Sequence, residues 1–546
     1  MTTERALHNQ PTVSSRNYRV ALAVMVLLAL FGLGYYWIQA LRQVNGFGFP
    51  LDDSWIHLQI ARNLASGHGW SYNPGEPTGA ATAPLWVLAI APLFYLGGDV
   101  TLWVRAFGIL LYLASILLVA NVATLASGDR RVGIVAGVLA AAQPAFIWAA
   151  LSGMETTLYL LLFLLSLRSL FLIEQRGRLA AYASTGWLAL AGWARPELWA
   201  LLPLFWGYML WRRRDLSVGH WWVHAAIALL AIGSFALFNM ALWNHPTPTT
   251  LAAKRAHLRS SSQGASVTAL RVWASHFFAN IDLTLRSQNS VLLTCMAAGL
   301  LLIQRRPIVG KRLLLCLGIV VVGVGVISLA NLGSVSFQTY RRSAHMLVSM
   351  NVLVAAGFVA IYDLLRRLSF DTGQNRRESD ARRGWFRSGS GRWGDVAVIC
   401  LLTTAMVIQV QAVRAWGNRY VSDVRGINQA DVAAGQWLAV NTPADAVIAA
   451  NDVGAIAFFG QRAVFDMVGL ASPEVIDVLR RTRYLSEERD RQMKDLLLER
   501  QVDYVVIFPA WFPWLAKDPM LHEVQRFTVK NPTALAGEEV VIYQIK

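Results

Sequence analysis

Long apolar segments separated by short polar ones occupy most of the first 413 residues. A membrane-spanning helix needs about 20 mainly apolar residues, and eleven segments approach or exceed that length. They lie near residues 18–40, 103–127, 132–150, 156–173, 179–194, 197–211, 221–242, 290–304, 313–331, 345–363 and 394–413. The pattern predicts a mostly α-helical, polytopic membrane protein with about eleven transmembrane helices.

One further apolar segment, residues 83–97, is set apart because it is short, only about 15 residues, and also contains two prolines. If it crossed the membrane, every later basic cluster would change sides. We therefore expect an interfacial or re-entrant helix at this position.

Basic residues concentrate between the apolar segments. The first 413 residues contain 34 Lys and Arg against 16 Asp and Glu, whereas the remainder contains 15 and 17. Clusters occur near 130–131, 176–178, 212–214, 305–312 and 366–392. Because cytoplasmic loops carry such an excess, we expect a cytoplasmic N-terminus and an extracytoplasmic first loop at 41–102. The net charge of +16 therefore reflects topology, and no nucleic-acid partner is expected.

The pattern changes after residue 413, where short apolar runs alternate with charged helical ones. Four runs predict buried strands: 446–450, 463–466, 503–508 and 540–543. A charged helical pattern covers 486–500. We therefore divide the chain into a transmembrane catalytic domain, 1–413, and an extracytoplasmic α/β domain, 414–546.

The first loop carries the strongest chemical signal. Two adjacent carboxylates, Asp52 and Asp53, follow an apolar span and begin an amphipathic helical pattern. Solvation at the membrane surface would explain them, but so would a role as general base or metal ligand in group transfer to a hydroxyl. A glycine-rich turn with His68 ends the helix. His57 and His68 lack further ligands nearby, which favours structural roles over metal binding.

The motif DDSWIHLQIARNLASGHGWSYNPGEPTGAATAPLW, at 52–86, resembles the first-loop signature of the GT-C superfamily. Those are multi-pass glycosyltransferases that use polyprenyl-phosphate sugars, and the sequence is most similar to the bacterial terminal arabinofuranosyltransferase group. Supporting segments are SGMETTLY (152–159), ARPEL (194–198), HPTPTTLAAKR (245–255), the Tyr340-Arg341-Arg342 loop, and NDVGAIAFFGQRAVFDMVGLASPEV (451–475).

The resemblance implies that the acid motif carries the catalytic carboxylate. Two alignments of the motif are open. Counting back from Ala61-Arg62, as in the more distantly similar lipid A aminoarabinose transferases, places the catalytic carboxylate at Asp53. Counting from the acid pair itself places it at Asp52, and we prefer Asp53. A divalent cation held by the two carboxylates is also possible, because the resembling groups differ on metal dependence.

A lipid-phosphate donor needs cationic groups beside the acid. Candidates on the predicted outer side are Arg62, Lys254, Arg255, Arg341 and Arg342. Interaction with lipid headgroups would explain any one of them, but as a set they oppose the topological bias and call for a function.

Three more charged residues lie at predicted outer ends of spans: Glu155, Arg195 and Glu197. Charged groups at membrane depth normally find partners, so we expect these residues to support the site structurally or to contact the acceptor. His68 is assigned the same two possible roles.

The resemblance and the acid motif together predict an inverting glycosyltransferase of the bacterial cytoplasmic membrane. It would move arabinofuranose, or a hexose such as mannose, from a polyprenyl-phosphate donor to a cell-envelope glycan, lipid or protein on the outer face. The alternative is a transporter or flippase of lipid-linked saccharides. That function would call for ionisable groups within spans near the membrane midplane and for repeat symmetry. Arg168, the clearest charge within an apolar run, lies near the predicted inner end of its span, and we find no convincing internal repeat.

Overall fold

The computed structural model describes residues 13–44, 48–212, 218–262, 269–286, 295–297, 307–329, 340–379, 390–535 and 537–546. Within these ranges the chain forms a bundle of apolar helices followed by a small mixed sheet with its own helices. The predicted fold class, a mostly helical polytopic protein with a C-terminal α/β domain, is confirmed.

Fifteen α-helices of seven or more residues precede the sheet domain in the described ranges. They are α1 (Ser15–Gln43), α2 (Asp52–Ala65), α3 (Pro84–Ile90), α4 (Val100–Ser127), α5 (Arg130–Ala141), α6 (Pro144–Leu151), α7 (Thr156–Phe171), α8 (Ile173–Ala194), α9 (Leu202–Arg212), α10 (Val218–Trp243), α11 (Thr249–Ser262), α12 (Ala269–Arg286), α13 (Pro307–Leu329), α14 (Ala344–Ser379) and α15 (Ser390–Ile427). Two 3₁₀ segments, Ala91–Leu96 and Pro196–Leu201, adjoin α3 and α9.

Five helices of the described ranges are long and apolar enough to cross a membrane. They are α1, α4 and the apolar parts of α10, α13 and α14. The helices α5 and α6, bent by 55° at their junction, together make a sixth candidate. The predicted spans at 156–173, 179–194 and 197–211 overlap α7, α8 and α9. The span at 290–304 lies largely outside the described residues, so the number eleven is not confirmed.

Residues 84–96 form a short helix that continues as a 3₁₀ segment, in the place where the sequence predicts a non-spanning helix. Proline at the first position starts α3, and a second proline begins the 3₁₀ segment. The buried Trp86 stacks on Phe107 of α4 and donates a hydrogen bond to the Gly153 carbonyl at 3.0 Å. These contacts hold the helix against the bundle beside the first loop.

The C-terminal part is a five-stranded sheet with strand order β2-β1-β3-β5-β4. The strands are β1 (Val447–Ala450), β2 (Ala463–Asp466), β3 (Tyr504–Ile507), β4 (Leu521–Thr528) and β5 (Glu539–Ile545). Its helices are α16 (Ala433–Asn441), α17 (Gly454–Gly460), α18 (Val475–Arg481) and α19 (Glu487–Glu499). The first three strands run parallel, and β5 pairs antiparallel with both β3 and β4.

The four predicted strands are all present, whereas β4 was not predicted. The predicted domain boundary at 413 falls inside α15, so a continuous helix leads from the bundle into the sheet domain. The division of the chain at that residue stays a prediction.

The first loop packs between the helix bundle and the sheet domain. Trp55 of α2 is fully buried, and its ring lies 4.7 Å from Phe459 and 5.2 Å from Phe458 of α17, measured between centroids. The Tyr72 hydroxyl donates to the Val453 carbonyl at 2.5 Å. Burying large aromatic rings is among the strongest apolar contributions a contact can make. On the bundle side, the Ser54 hydroxyl of α2 donates to the Ser152 carbonyl at 2.7 Å, so α2 is held from both sides.

Candidate active site

The helix α2 begins with the acid pair. Leu51 is its extended N-cap residue, and Asp52 and Asp53 occupy the first turn, where the helix dipole favours negative charge. Successive residues of an α-helix point about 100° apart, because a turn contains 3.6 residues. The two side chains must therefore face different surroundings.

Asp52 faces the sheet domain. Its two carboxylate oxygens accept hydrogen bonds from the backbone N–H groups of Gly454 and Ala455, each at 2.7 Å. Burial raises the pKa of Asp52 to about 7, although these two hydrogen bonds act in the opposite direction. A Cβ on Gly454 would lie 2.2 Å from the Asp52 carbonyl oxygen, so only glycine allows this close approach. Asp52 thus attaches the first loop to α17.

Asp53 faces a pocket of about 120 Å³. Its side chain is 33% exposed and accepts a hydrogen bond from Arg341 Nη1 at 2.6 Å. Burial raises the pKa of Asp53, but the charges of Arg341 and Lys254 outweigh burial and hold the pKa below its usual range. Asp53 is therefore an ionised carboxylate in a positively charged pocket.

Three cationic side chains line this pocket with Asp53: Lys254, Arg341 and Arg342. Lys254 comes from α11, and the two arginines come from the turn that precedes α14. Burial and the neighbouring Arg342 lower the pKa of Lys254 to about 7. The cations outnumber the carboxylate, which makes the pocket a site for an anionic ligand.

A second group of charges lies directly behind the pocket. Glu155 is fully buried and forms an ion pair with Arg195; its Oε1 also lies 3.8 Å from Arg341 Nε. Its Oε2 lies 4.0 Å from Nδ1 of His57, whose pKa burial lowers to about 4. Glu197 lies 3.9 Å from Arg195. Glu155 therefore helps to orient Arg341, the partner of Asp53.

The sheet domain closes one side of the pocket through Leu470. The Thr249 hydroxyl, at the start of α11, donates to the Leu470 carbonyl, and the Ser260 hydroxyl near the end of α11 donates to the Thr482 carbonyl at 2.7 Å. The helix that carries Lys254 is thereby attached to the sheet domain at both ends.

Other residues singled out from the sequence lie elsewhere. Arg62 donates to the Phe458 carbonyl at 2.8 Å and lies over the Phe458 ring, so it contributes to the contact with the sheet domain. Arg255 follows Lys254 on α11 but is exposed, and His68 is exposed in the turn after α2. None of these three lines the pocket of Asp53.

Three polar residues of the pocket, His57, Thr82 and Thr250, are not among the site residues predicted from the sequence. His57 lies one helical turn after Asp53 and was assigned a structural role, although it lines the pocket. Thr250 lies four residues before Lys254 on α11 and lines the pocket with it. The spacing of four residues places each pair on one helix face and was the available signal.

The surroundings of the acid pair do not suit a divalent cation. Both carboxylate oxygens of Asp52 accept hydrogen bonds from backbone N–H groups, and Asp53 faces three cationic side chains. Within the described part of the chain, no group of three or more His, Cys, Asp and Glu side chains is arranged to hold a metal ion. A hard cation prefers several oxygen ligands, which these residues do not offer together.

Comparison by sequence gives a match for the C-terminal part of the chain. A family model described as a domain of unknown function (DUF8728) matches residues 416–543. A search of curated proteins by sequence finds no match.

Several solved structures are similar over nearly the whole chain. The apo oligosaccharyltransferase of Archaeoglobus fulgidus has a TM-score of 0.59 and 13% identity, covering 96% of this chain and 74% of its own. ArnT from Cupriavidus metallidurans, bound to undecaprenyl phosphate, has a TM-score of 0.51 and 13% identity, covering 95% and 98%. Arabinofuranosyltransferase AftD from Mycobacteria has a TM-score of 0.48 and 18% identity, covering 98% and 42%.

These similar proteins are glycosyltransferases of the GT-C type, and at such identities the likeness concerns the fold. The chain therefore has the GT-C fold.

Proposed function

We propose that this protein is a glycosyltransferase that moves a sugar from a polyprenyl-phosphate donor to an acceptor hydroxyl. The observation that carries the proposal is the pairing of one ionised carboxylate, Asp53, with three cationic side chains around a single pocket. Transfer from a lipid phosphate needs a base for the acceptor and positive charge for the leaving phosphate. Both requirements are met within this pocket.

Two similar structures support a lipid-phosphate donor. ArnT from Cupriavidus metallidurans is bound to undecaprenyl phosphate, and the archaeal oligosaccharyltransferase AglB is in complex with a dolichol-phosphate and an inhibitory peptide. By extension to this chain, Lys254, Arg341 and Arg342 would bind the donor phosphate. We assign Arg62 and Arg255 supporting roles, because they do not line the pocket.

The ion pair between Asp53 and Arg341 suggests how donor binding activates the base. In the free enzyme Arg341 holds the pKa of Asp53 low, which makes the carboxylate a weak base. A donor phosphate would compete for Arg341 and draw its guanidinium away from Asp53. The pKa of Asp53 would then rise, and the carboxylate would become a better proton acceptor once the donor is in place.

The reaction is a single displacement at the anomeric carbon. The acceptor oxygen forms a bond to that carbon while Asp53 takes the hydroxyl proton. The bond between the anomeric carbon and the phosphate oxygen breaks, and its electron pair leaves with polyprenyl phosphate. One displacement inverts the anomeric configuration. No step passes through a metal ion.

Arabinofuranose is the first sugar to test, with a hexose such as mannose as the second. The acceptor would be a cell-envelope glycan, a lipid or a protein. We place the pocket on the outer face of the bacterial cytoplasmic membrane, with the N-terminus inside and the sheet domain outside. The distribution of basic residues between the apolar segments supports this orientation.

The experiment supplies purified protein in nanodiscs with polyprenyl-phosphoryl arabinofuranose or polyprenyl-phosphoryl mannose and a mixture of acceptors. Released polyprenyl phosphate and labelled glycan are measured together. We expect stoichiometric release and transfer with one donor. Tight binding of both donors without turnover of either would contradict the proposal and favour a transport function.

A further inference from the structure

One buried residue joins three segments of the chain that surround the pocket of Asp53. Thr249 is the first residue of α11 and is almost fully buried. Its backbone N–H donates to the Gly79 carbonyl of the first loop at 3.2 Å, and its hydroxyl donates to the Leu470 carbonyl of the sheet domain. Because the first N–H groups of a helix have no partner within the helix, an outside acceptor satisfies this one. Thr249 therefore fixes where α11 begins.

Each of the three joined segments supplies a wall of the pocket. Ala80 lines the pocket from the first loop, and Leu470 lines it from the sheet domain. Thr250 and Lys254 line it from α11, whereas Thr249 does not line it. Successive helical residues point about 100° apart, so Thr249 faces away from the pocket while Thr250 shares the helix face of Lys254. The side chain of Thr249 thus holds the wall together from behind.

The other contacts near the start of α11 are less directional. The helix packs against the core of the sheet domain through three alanines: Ala252, Ala253 and Ala256. An alanine methyl group buries little area, so this packing fixes the rotation of the helix about its axis only weakly. The turn before the helix is exposed at residues 244–246. The two hydrogen bonds of Thr249 therefore have a large share in placing this end of the helix.

The ammonium group of Lys254 depends on that placement. Burial and the charge of Arg342 lower the pKa of Lys254 to about 7, although Asp53 acts in the opposite direction. Movement of α11 away from the pocket would expose Lys254 to water and raise its pKa towards the ordinary value of about 10.4. The charged and titratable groups that face Lys254 come from α2, from residues 195–197 and from the turn before α14: Asp53, His57, Arg195, Glu197, Arg341 and Arg342.

We propose that Thr249 is a positioning residue that acts through Lys254. By joining the first loop to the sheet domain at the start of α11, Thr249 holds the Lys254 ammonium against the donor phosphate. The inference rests on the proposed function and adds that phosphate binding depends on a contact between the first loop, α11 and the sheet domain, outside the pocket itself.

The test uses Thr249→Val in the full-length protein in nanodiscs, because valine keeps the shape of the side chain and removes the hydroxyl. Lys254 is labelled with a limiting amount of acetic anhydride over a range of pH, and its acetylation is measured by mass spectrometry. We expect half-maximal labelling near pH 7 in the wild type and at least about one pH unit higher in Thr249→Val.

A second measurement follows the binding of polyprenyl phosphate below pH 7, where Lys254 is charged in both proteins. The affinity of Thr249→Val should be at least about tenfold lower than that of the wild type, the effect of losing one hydrogen bond from a charged group. Thr249→Ser restores the hydroxyl and should recover both the labelling midpoint and the affinity of the wild type.

The matched control is Ser260→Ala. It removes a hydrogen bond of the same kind, from the other end of α11 to the Thr482 carbonyl of the sheet domain, and should leave the labelling midpoint of Lys254 unchanged. A wild-type midpoint in Thr249→Val, or an equal shift in Ser260→Ala, would overturn the inference. The labelling needs no ligand, so it tests the placement of Lys254 separately from the proposed function. If the midpoints shift as expected but the wild type binds no polyprenyl phosphate, the proposed function fails, and the role in phosphate binding fails with it.

Discussion

The buried carboxylate of Glu155 gives the sharpest test of how the pocket is held together. It is fully buried, pairs with Arg195 and lies 3.8 Å from Arg341 Nε. The substitution Glu155→Gln keeps the size of the side chain and removes its charge. Two buried guanidinium groups would then lose their shared negative partner.

The expected loss of stability follows from burial and from the number of partners. Removing one member of a buried ion pair typically costs about 3–5 kcal/mol, because the remaining charge stays buried without compensation. His57 adds little to the pairing at neutral pH, since burial lowers its pKa to about 4 and leaves the ring uncharged. The main contribution therefore comes from Arg195 and Arg341. Because Arg341 keeps its bond to Asp53 and Arg195 keeps Glu197 at 3.9 Å, we expect a loss at the lower end of this range, about 3 kcal/mol.

Equilibrium unfolding in mixed micelles measures this loss. The matched control is Glu197→Gln, because Glu197 retains 19% of its side-chain exposure and lies 3.9 Å from the same Arg195. We expect a smaller loss for the control, since partial solvation weakens an ion pair. A loss in Glu155→Gln no larger than in Glu197→Gln would refute the reasoning.

Three further predictions concern the groups around Asp53. Asp52→Asn should speed hydrogen exchange of one of the two amides, Gly454 or Ala455, at least about tenfold, because an asparagine side chain has a single acceptor oxygen and can keep only one of the two bonds. Asp53→Asn should leave both rates unchanged, and equal rates in the two variants would contradict the assignment. Lys254 has a pKa of about 7, so its charge is lost as pH rises through 7. The affinity of the wild type for polyprenyl phosphate should therefore fall over that range more steeply than the affinity of Lys254→Arg. Parallel affinity curves for the two proteins would contradict this. Transfer should persist in EDTA, and its loss with recovery on adding magnesium or manganese would show that a metal ion takes part.

The fold class could be predicted from the sequence because apolar length and charge distribution report directly on membrane spans. The number of spans could not. The helices α5 and α6 bend by 55°, and α7 is only 16 residues long, so an apolar run does not correspond simply to one straight crossing. Pro144, the first residue of α6, marks this bend in the sequence, but a proline alone does not tell whether the two halves make one broken crossing or a re-entrant pair.

The strand β4 was missed for a local reason. A regular strand alternates apolar and polar residues with a period of two, and that period is the signal in the sequence. The pairing of β4 with β5 shifts between Glu523 and Gln525, where a bulge interrupts the register. Most of the strand is also exposed or half-exposed, so its sequence lacks a continuous apolar face.

The different surroundings of Asp52 and Asp53 could not be derived from the sequence. The two residues are adjacent and identical in chemistry, and what separates them is the direction of each side chain on α2. Asp52 contacts a helix 402 residues further along the chain, and Asp53 contacts an arginine 288 residues away. The charge argument selects basic residues on the outer side of the membrane and does not tell which of them line the pocket. It therefore selects Arg62 and Arg255 as readily as Lys254, Arg341 and Arg342.

The most direct test of the central claim is a single-turnover measurement on Asp53→Asn in nanodiscs, with the donor that the wild type uses and an acceptor glycan. The account predicts a transfer rate lower by about 10²–10⁴, the usual contribution of a positioned general base. It also predicts that the variant binds polyprenyl phosphate at least as tightly as the wild type, since a negative charge is removed from the phosphate pocket. A wild-type transfer rate in Asp53→Asn would contradict the account.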